Sequence, residues 1–192
     1  DPINAAKIFN DLKVDELIFL DITASKENRC ISIDLIKDIG DETFMPFSVG
    51  GGINSIKQIE ELLKVGAEKV IINTQAILNP KLINEASKIF GSQSIVICLD
   101  VKKILFGKYE VWIKDGSKNA KLDPIEMAKE FEDAGAGEII INSIDNDGMM
   151  QGYDIKLIKD ITNVVNIPVV ASGGAGNLTH LKEGFYQGNA HA

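Results

Sequence analysis

Short apolar runs alternate with amphipathic segments along the chain, and their spacing predicts strands alternating with helices. Ile3, Ala6 and Phe9 recur along one face of a helix over 1–12, with Pro2 near its start. Residues 16–20 (ELIFL) form a continuous apolar run after the first residue, the pattern of a parallel strand covered on both faces. The pairing then repeats: helix 33–39, strand 47–49, helix 55–65 stopped by Gly66, strand 69–72, and helix 82–90 stopped by Gly91. The second half gives strand 94–100, helix 124–134, strand 138–142, helix 155–164, strand 167–171 and helix 178–187. Between strand 94–100 and helix 124–134 lies an unusually long connection. There Tyr109 to Ile113, followed by Lys114-Asp115-Gly116-Ser117, predicts a small hairpin with a polar tip. Connections of this length are usually lids or binding loops.

The pattern is duplicated. Residues 1–67 superpose on 123–189 without a gap, so that Asp1-Pro2-Ile3 meets Asp123-Pro124-Ile125 and Gly51-Gly52 meets Gly173-Gly174. Leu35 to Ile39 (LIKDI) recurs unchanged as Leu157 to Ile161. A register held over that length marks two copies of one multi-element unit. An open doubly wound sheet also alternates strand and helix. The duplication, with a long loop and Gly-Gly turns at strand ends, favours a (β/α)8 TIM barrel built from two duplicated half-barrels. The expected architecture is α/β, a single partial barrel domain over 1–192 with about six strands and seven helices. Compared with the second copy, the first lacks a preceding strand, so the sequence is expected to be a fragment missing a strand at each end. Open edges of that kind expose backbone groups and apolar surface, which predicts poor stability or self-association.

Composition narrows the function. A formal net charge of -8, with no basic cluster, argues against a nucleic-acid partner. Two cysteines, Cys30 and Cys98, give no disulfide framework, so a reducing cytoplasm is expected, and no run reaches transmembrane length. His180 and His191 are too scattered for a metal site, and no Cys/His spacing suggests zinc, so neither metal nor cofactor is expected.

The candidate chemistry sits at strand ends. Asp100 closes strand 94–100, where a carboxylate serves stability poorly and acid–base work well. Asp21 closes strand 16–20, and a structural role is favoured there. Asp145 and Asp147 flank one loop beside Gly148, one to orient substrate and one to tie the loop, in an order that chemistry alone leaves open. Gly51 and Gly52 with Asn73 and Thr74, and Gly148 with Ser172, Gly173 and Gly174, form two glycine clusters related by the repeat. Glycine turns let backbone amides approach an anion, so the duplication predicts a substrate carrying a phosphate at each end. Taken singly, each pair is also explained by a tight turn. Glu16, Lys69 and Glu138 open their strands, and parity directs Lys69 and Glu138 into the lower mouth of the barrel, where buried charges must pair. Such a ring either plugs the barrel or gates a path along its axis. Cys98 shares the parity of Asp100, but without a histidine base it is not expected to act as a nucleophile. Met149 and Met150 read as adaptable surface.

These segments together resemble the cyclase subunit of imidazole glycerol phosphate synthase, over the whole chain. The residues that carry the likeness are DELIFLDITAS (15–25), FSVGGGI (47–53), AEKVIINTQA (67–76), FGSQSIVICLD (90–100), GAGEIIINSIDNDGMMQGYD (135–154) and IPVVASGGAG (167–176). The resemblance implies an enzyme that takes ammonia from a glutaminase docked at the N-terminal face of the barrel. With it, the enzyme converts a bisphosphorylated aminoimidazole carboxamide ribonucleotide to imidazole glycerol phosphate and an aminoimidazole carboxamide ribotide. It implies Asp100 as one of two catalytic aspartates, the other on the absent first strand. It implies phosphate contacts at Gly52, Asn73 and Thr74 on one side and Gly148 and Gly174 on the other, beside which Gly51, Asn142, Asp147, Ser172 and Gly173 are candidate substrate contacts, and an ammonia gate at Glu16, Lys69 and Glu138. The loop after strand 138–142 departs from the family pattern: Asn142, Asn146 and Met149 stand where threonine, arginine and threonine are usual. That departure resembles a paralogous branch that supplies ammonia to a sugar amidotransferase in surface-polysaccharide synthesis without cyclase activity. A third class, another phosphosugar barrel such as an isomerase, would keep the glycines but has no need of Glu16, Lys69 and Glu138.

Overall fold

The computed structural model describes residues 2–192, so the start of the first predicted helix at Asp1 lies outside the described residues. Among the described residues there are eight α-helices and eight strands, of which seven helices and six strands follow the predicted alternation. Six strands are parallel: β1 (Leu17–Leu20), β2 (Phe47–Gly50), β3 (Lys69–Ile72), β4 (Ile95–Lys103), β7 (Glu138–Ser143) and β8 (Val169–Ser172), hydrogen-bonded in that order. The helices are α1 (Pro2–Asp11), α2 (Ile33–Glu42), α3 (Ile56–Lys64), α4 (Thr74–Leu78), α5 (Lys81–Phe90), α6 (Pro124–Ala134), α7 (Ile155–Thr162) and α8 (Leu178–Tyr186).

Local chemistry fixes the helix ends. Side chains of Ser32, Ser55, Asp123, Asp154 and Asn177 accept the first free backbone N–H groups of α2, α3, α6, α7 and α8. Gly135 closes α6 in the left-handed conformation. The apolar stripes of the helices pack on the outer face of the sheet. There Ile36, Ile59, Leu62, Ile83, Phe131 and Ile161 join Val49, Ile72, Ile97 and Ile139 in one fully buried core. Burying side chains of this size stabilises the fold by about 1.5–3 kcal/mol each before entropy is counted.

Two features differ from the sequence expectation. The strand placed at 94–100 runs on to Lys103, because β5 (Tyr109–Ile113) folds back antiparallel onto Asp100–Lys103 and is itself paired with β6 (Lys118–Asn119). Asp100 is therefore inside β4 rather than its last residue. An eighth helix, α4, follows β3 directly. At five residues it is too short to show a helical period, and Pro80 ends it by forcing Asn79 out of the helical region (φ -143°, ψ 74°).

The parallel sheet is curled, with β1 and β8 at its two ends. Ile18, Leu20 and Ile22 beside one end are partly or well exposed, as are Leu178, Leu181, Phe185 and Tyr186 of α8 beside the other. Inside the curl a second small cluster, Ile71, Val96, Cys98 and Ile140 with Val170 packed against it, fills the lumen. It separates two polar layers, one at the strand starts and one at the strand ends.

Candidate active site

The upper polar layer surrounds Asp100. Its neighbours in register are Asn142 on β7, and beyond that Ser172 on β8. Asn142 Nδ2 donates to Asp100 Oδ1 at 2.9 Å, and Asn73 Nδ2, from the turn after β3, donates to Oδ2 at 3.0 Å. Asn73 also donates to the Cys98 carbonyl at 3.1 Å, and its own Oδ1 accepts from Thr74 Oγ1. Burial pushes the Asp100 pKa above the usual carboxylate range, the two amide donors pull it back, and Asp115 and Asp147 add to the rise. A partly desolvated carboxylate with no cation in contact holds a proton more readily than a free one and is suited to acid–base work. The Cys98 thiol just below is buried, which raises its pKa and keeps it protonated.

Above Asp100 opens a cavity of about 380 Å³. Gly51, Gly52, Asn73 and Thr74 line one side of it, and Asn142, Asp147 and Ser172 the other. The remaining glycines named from sequence are placed elsewhere. Gly173 and Gly174 sit beneath the loop after β7, where a Cβ on Gly174 would lie 2.2 Å from the Gly152 carbonyl oxygen, and Gly152 N–H donates to Gly174 O at 2.8 Å. Gly52 is packed in the same way, since a Cβ there would lie 1.8 Å from the Arg29 carbonyl oxygen. In both copies the glycine admits a close backbone crossing, and only in the first copy does it also face the cavity. Gly148 has a left-handed backbone (φ 73°) and open space around it.

The other carboxylates separate by partner. Asp21 is paired with the Arg29 guanidinium and with Thr23, contacts that hold its pKa below the usual range and fix the loop after β1. This is a structural assignment. Asp145 accepts the Lys103 N–H at 2.8 Å and ties its loop to the end of β4, which leaves Asp147 as the member of the pair that faces the cavity. The hairpin closes over the same rim: Lys114 N–H donates to Thr74 Oγ1 at 2.9 Å, and Asp115 pairs with Lys26 at 2.5 Å. Sequence reasoning did not single out Arg29, Lys26 or Asp115, because exposed loop charges carry no periodic signal.

The lower polar layer brings Glu16, Lys69 and Glu138 into one group. Lys69 Nζ lies 2.8 Å from both Glu16 Oε2 and Glu138 Oε2. Those residues come from β3, from the approach to β1, and from β7, each two strands removed from β3. Only a curled sheet brings such positions within reach of one side chain. Burial opposes the charge on Lys69, but the hydrogen bonds to Glu138 and Glu16 outweigh it and raise its pKa. The buried Ser48 hydroxyl donates to Glu16 Oε1, a fourth member legible only from its place beside Lys69 in the register.

A wider hollow of about 620 Å³ opens on the outside of the lower end, between α2 and the turn after α3. Its titratable groups, Lys37, Asp41, Lys64 and Glu68, are all exposed, and it lacks the enclosed carboxylate that marks the upper cavity. Among the described residues no group of three or more His, Cys, Asp and Glu is placed to hold a metal ion. No helix among them is long and apolar enough to cross a membrane.

A curled parallel sheet sheathed in helices, with a carboxylate and glycine turns at the carboxyl ends of its strands, defines the class: an α/β barrel protein of the TIM type. The family model for histidine biosynthesis proteins matches residues 1–192, and the chain belongs to that family. The chain is 43% identical over 192 residues to imidazole glycerol phosphate synthase subunit HisF of Alkaliphilus metalliredigens, covering all of this chain and 76% of that protein. It is 45% identical over 212 aligned positions to the subunit of the same name from Methanococcus vannielii, covering all of this chain and 78% of that one. With the Hydrogenobaculum protein of that name it shares 49% over 185 residues, covering 96% of this chain and 73% of the relative.

Proposed function

We propose that this chain is the cyclase subunit of imidazole glycerol phosphate synthase, a lyase of histidine biosynthesis working in the cytoplasm. It uses ammonia from a glutaminase to convert the bisphosphorylated aminoimidazole carboxamide ribonucleotide to imidazole glycerol phosphate and the aminoimidazole carboxamide ribotide. The observation that carries this reading is the axial stack: a charged ring below, a small apolar lumen, then Asp100 under a cavity.

In this reading Asp100 is the acid–base group. Ammonia addition, elimination of the carboxamide product and ring closure each move a proton, and a carboxylate whose pKa lies above the usual range both accepts and returns one. Gly51, Gly52, Asn73 and Thr74 receive one phosphate. Gly148, Ser172, Gly173 and Gly174, with Asp147 and Asn142 between, serve the other end of the substrate. The cavity reaches Ser172 and Asp147, and Gly148 beside them has open space around it. Glu16, Lys69 and Glu138 act as the gate for ammonia, with the glutaminase docked against the strand starts.

The test is turnover of the bisphosphorylated ribonucleotide with ammonium salt by the full-length protein. Formation of both products supports the reading. No turnover, together with intact stimulation of a partner glutaminase, would overturn it in favour of ammonia supply to another acceptor.

A further inference from the structure

We propose that Asn142 is a positioning residue that holds Asp100 as a carboxylate facing the cavity, with its amide oxygen met from behind by Ser172. The turnover arm of the test below rests on the reading just given.

Three observations carry the proposal. Asp100, Asn142 and Ser172 are register partners across β4, β7 and β8, so their side chains stand at one level of the inner face. Their contacts run in one direction: Ser172 Oγ donates to Asn142 Oδ1 at 3.4 Å, and Asn142 Nδ2 donates to Asp100 Oδ1 at 2.9 Å. Turning the amide over would set its oxygen against the carboxylate, which only accepts, so Asp100 fixes the orientation, while the Ser172 hydroxyl can donate or accept and adapts to it. Finally, Gly173 leaves the space that the amide oxygen occupies, since a Cβ there would lie 3.0 Å from Asn142 Oδ1.

The chemistry follows from what an amide can offer. The Asn142 Nδ2 group only donates, so it bonds the ionised carboxylate and loses that bond when Asp100 takes a proton on the same oxygen. A hydroxyl at this position would donate to the carboxylate or accept from the acid. Asn142, which stands where the family pattern has threonine, therefore biases Asp100 toward the basic form. The other titratable and charged groups around Asp100 are Asp115 on the hairpin tip with its partner Lys26, Asp147 in the loop after β7, Cys98 on its own strand, and Asp21 with Arg29 across the cavity. None of these supplies a cation in contact with Asp100, so removal of the amide donor is not masked by a neighbouring positive charge.

The experiment compares wild type with Asn142→Leu, which keeps the shape and removes the donor, and with Asn142→Thr, whose hydroxyl can donate or accept. Asn142→Ala replaces the leucine variant if circular dichroism shows that it does not fold. Loss of the donor is expected to move the acid limb of the kcat–pH profile upward by about one pH unit. Asn142→Thr, whose hydroxyl serves both forms of the carboxyl, should move the limb in the same direction by about half a unit. Carbon-13 NMR titration of the Asp100 carboxyl, assigned by its loss in Asp100→Asn, reads the same shift without turnover. An unmoved limb and an unmoved carboxyl titration in the leucine or alanine variant would overturn the proposal. A wild type without turnover sinks the functional reading alone, because the NMR titration still decides the role of Asn142.

Discussion

At the strand starts, Glu16 and Glu138 share one lysine; at the strand ends, Asp100 has no cation and rests on two neutral amides. Both layers lie on the same inner face, with a single apolar cluster between them. Charge paired with charge is structurally committed, because removing either partner strands the other in a poorly solvated place. A carboxylate held only by amide donors can give up its charge without leaving a countercharge behind. The lower ring thus contributes to stability, while Asp100 at the upper end sits at some cost to stability and is available for chemistry.

Substitutions can break that contrast. Lys69→Met leaves two carboxylates facing each other and should lower stability by about 1–2 kcal/mol, between an exposed pair and a fully buried one, read from urea unfolding. A loss below about 1 kcal/mol would mean that the ring is solvated and contributes nothing special. The same variant sharpens the contrast through pH. Lys69 has a raised folded pKa, so its contribution is complete below the unfolded lysine value of about 10.4 and is lost as pH rises through the folded value. The stability gap between wild type and Lys69→Met should therefore be flat from neutral pH to about 10 and close above that. A gap that persists unchanged to high pH would contradict the ring geometry.

Smaller effects follow down the same layer. Ser48→Ala removes one buried donor to Glu16 and should cost about 1 kcal/mol in the same unfolding assay. Lys64→Ala breaks an exposed pair with Glu60 on α3 and should cost less than about 0.5 kcal/mol, which sets the scale for a surface ion pair. If the two variants cost the same, the lower ring is no different from the surface.

Much of this was legible in the chain, and the exceptions have physical causes. Alternating apolar runs and helix caps gave the six parallel strands and seven of the helices. The strand period placed Lys69, Ile71 and Asn73, and likewise Glu138, Ile140 and Asn142, on shared faces. What failed was what depends on pairing partners far along the chain. Nothing local tells Val101 to Lys103 to remain extended; the returning strand Tyr109–Ile113 does that. The choice between Asp145 and Asp147 turned on which one meets the Lys103 amide, a contact across 42 positions. The glycine pairs carried a further ambiguity. Gly51-Gly52 and Gly173-Gly174 are equivalent in sequence and both admit close backbone crossings, yet only the first pair lines the cavity. Helix α4 was invisible for want of length.

The most direct measurement is the pair of numbers given by Asp100→Asn: kcat with the bisphosphorylated ribonucleotide and ammonium salt, and unfolding stability at the same pH. The account predicts that kcat falls at least about 100-fold while stability changes by less than about 1 kcal/mol, because a raised pKa means the fold gains nothing from the charge. Retained turnover, or a loss of activity explained by a comparable loss of folded protein, would contradict it.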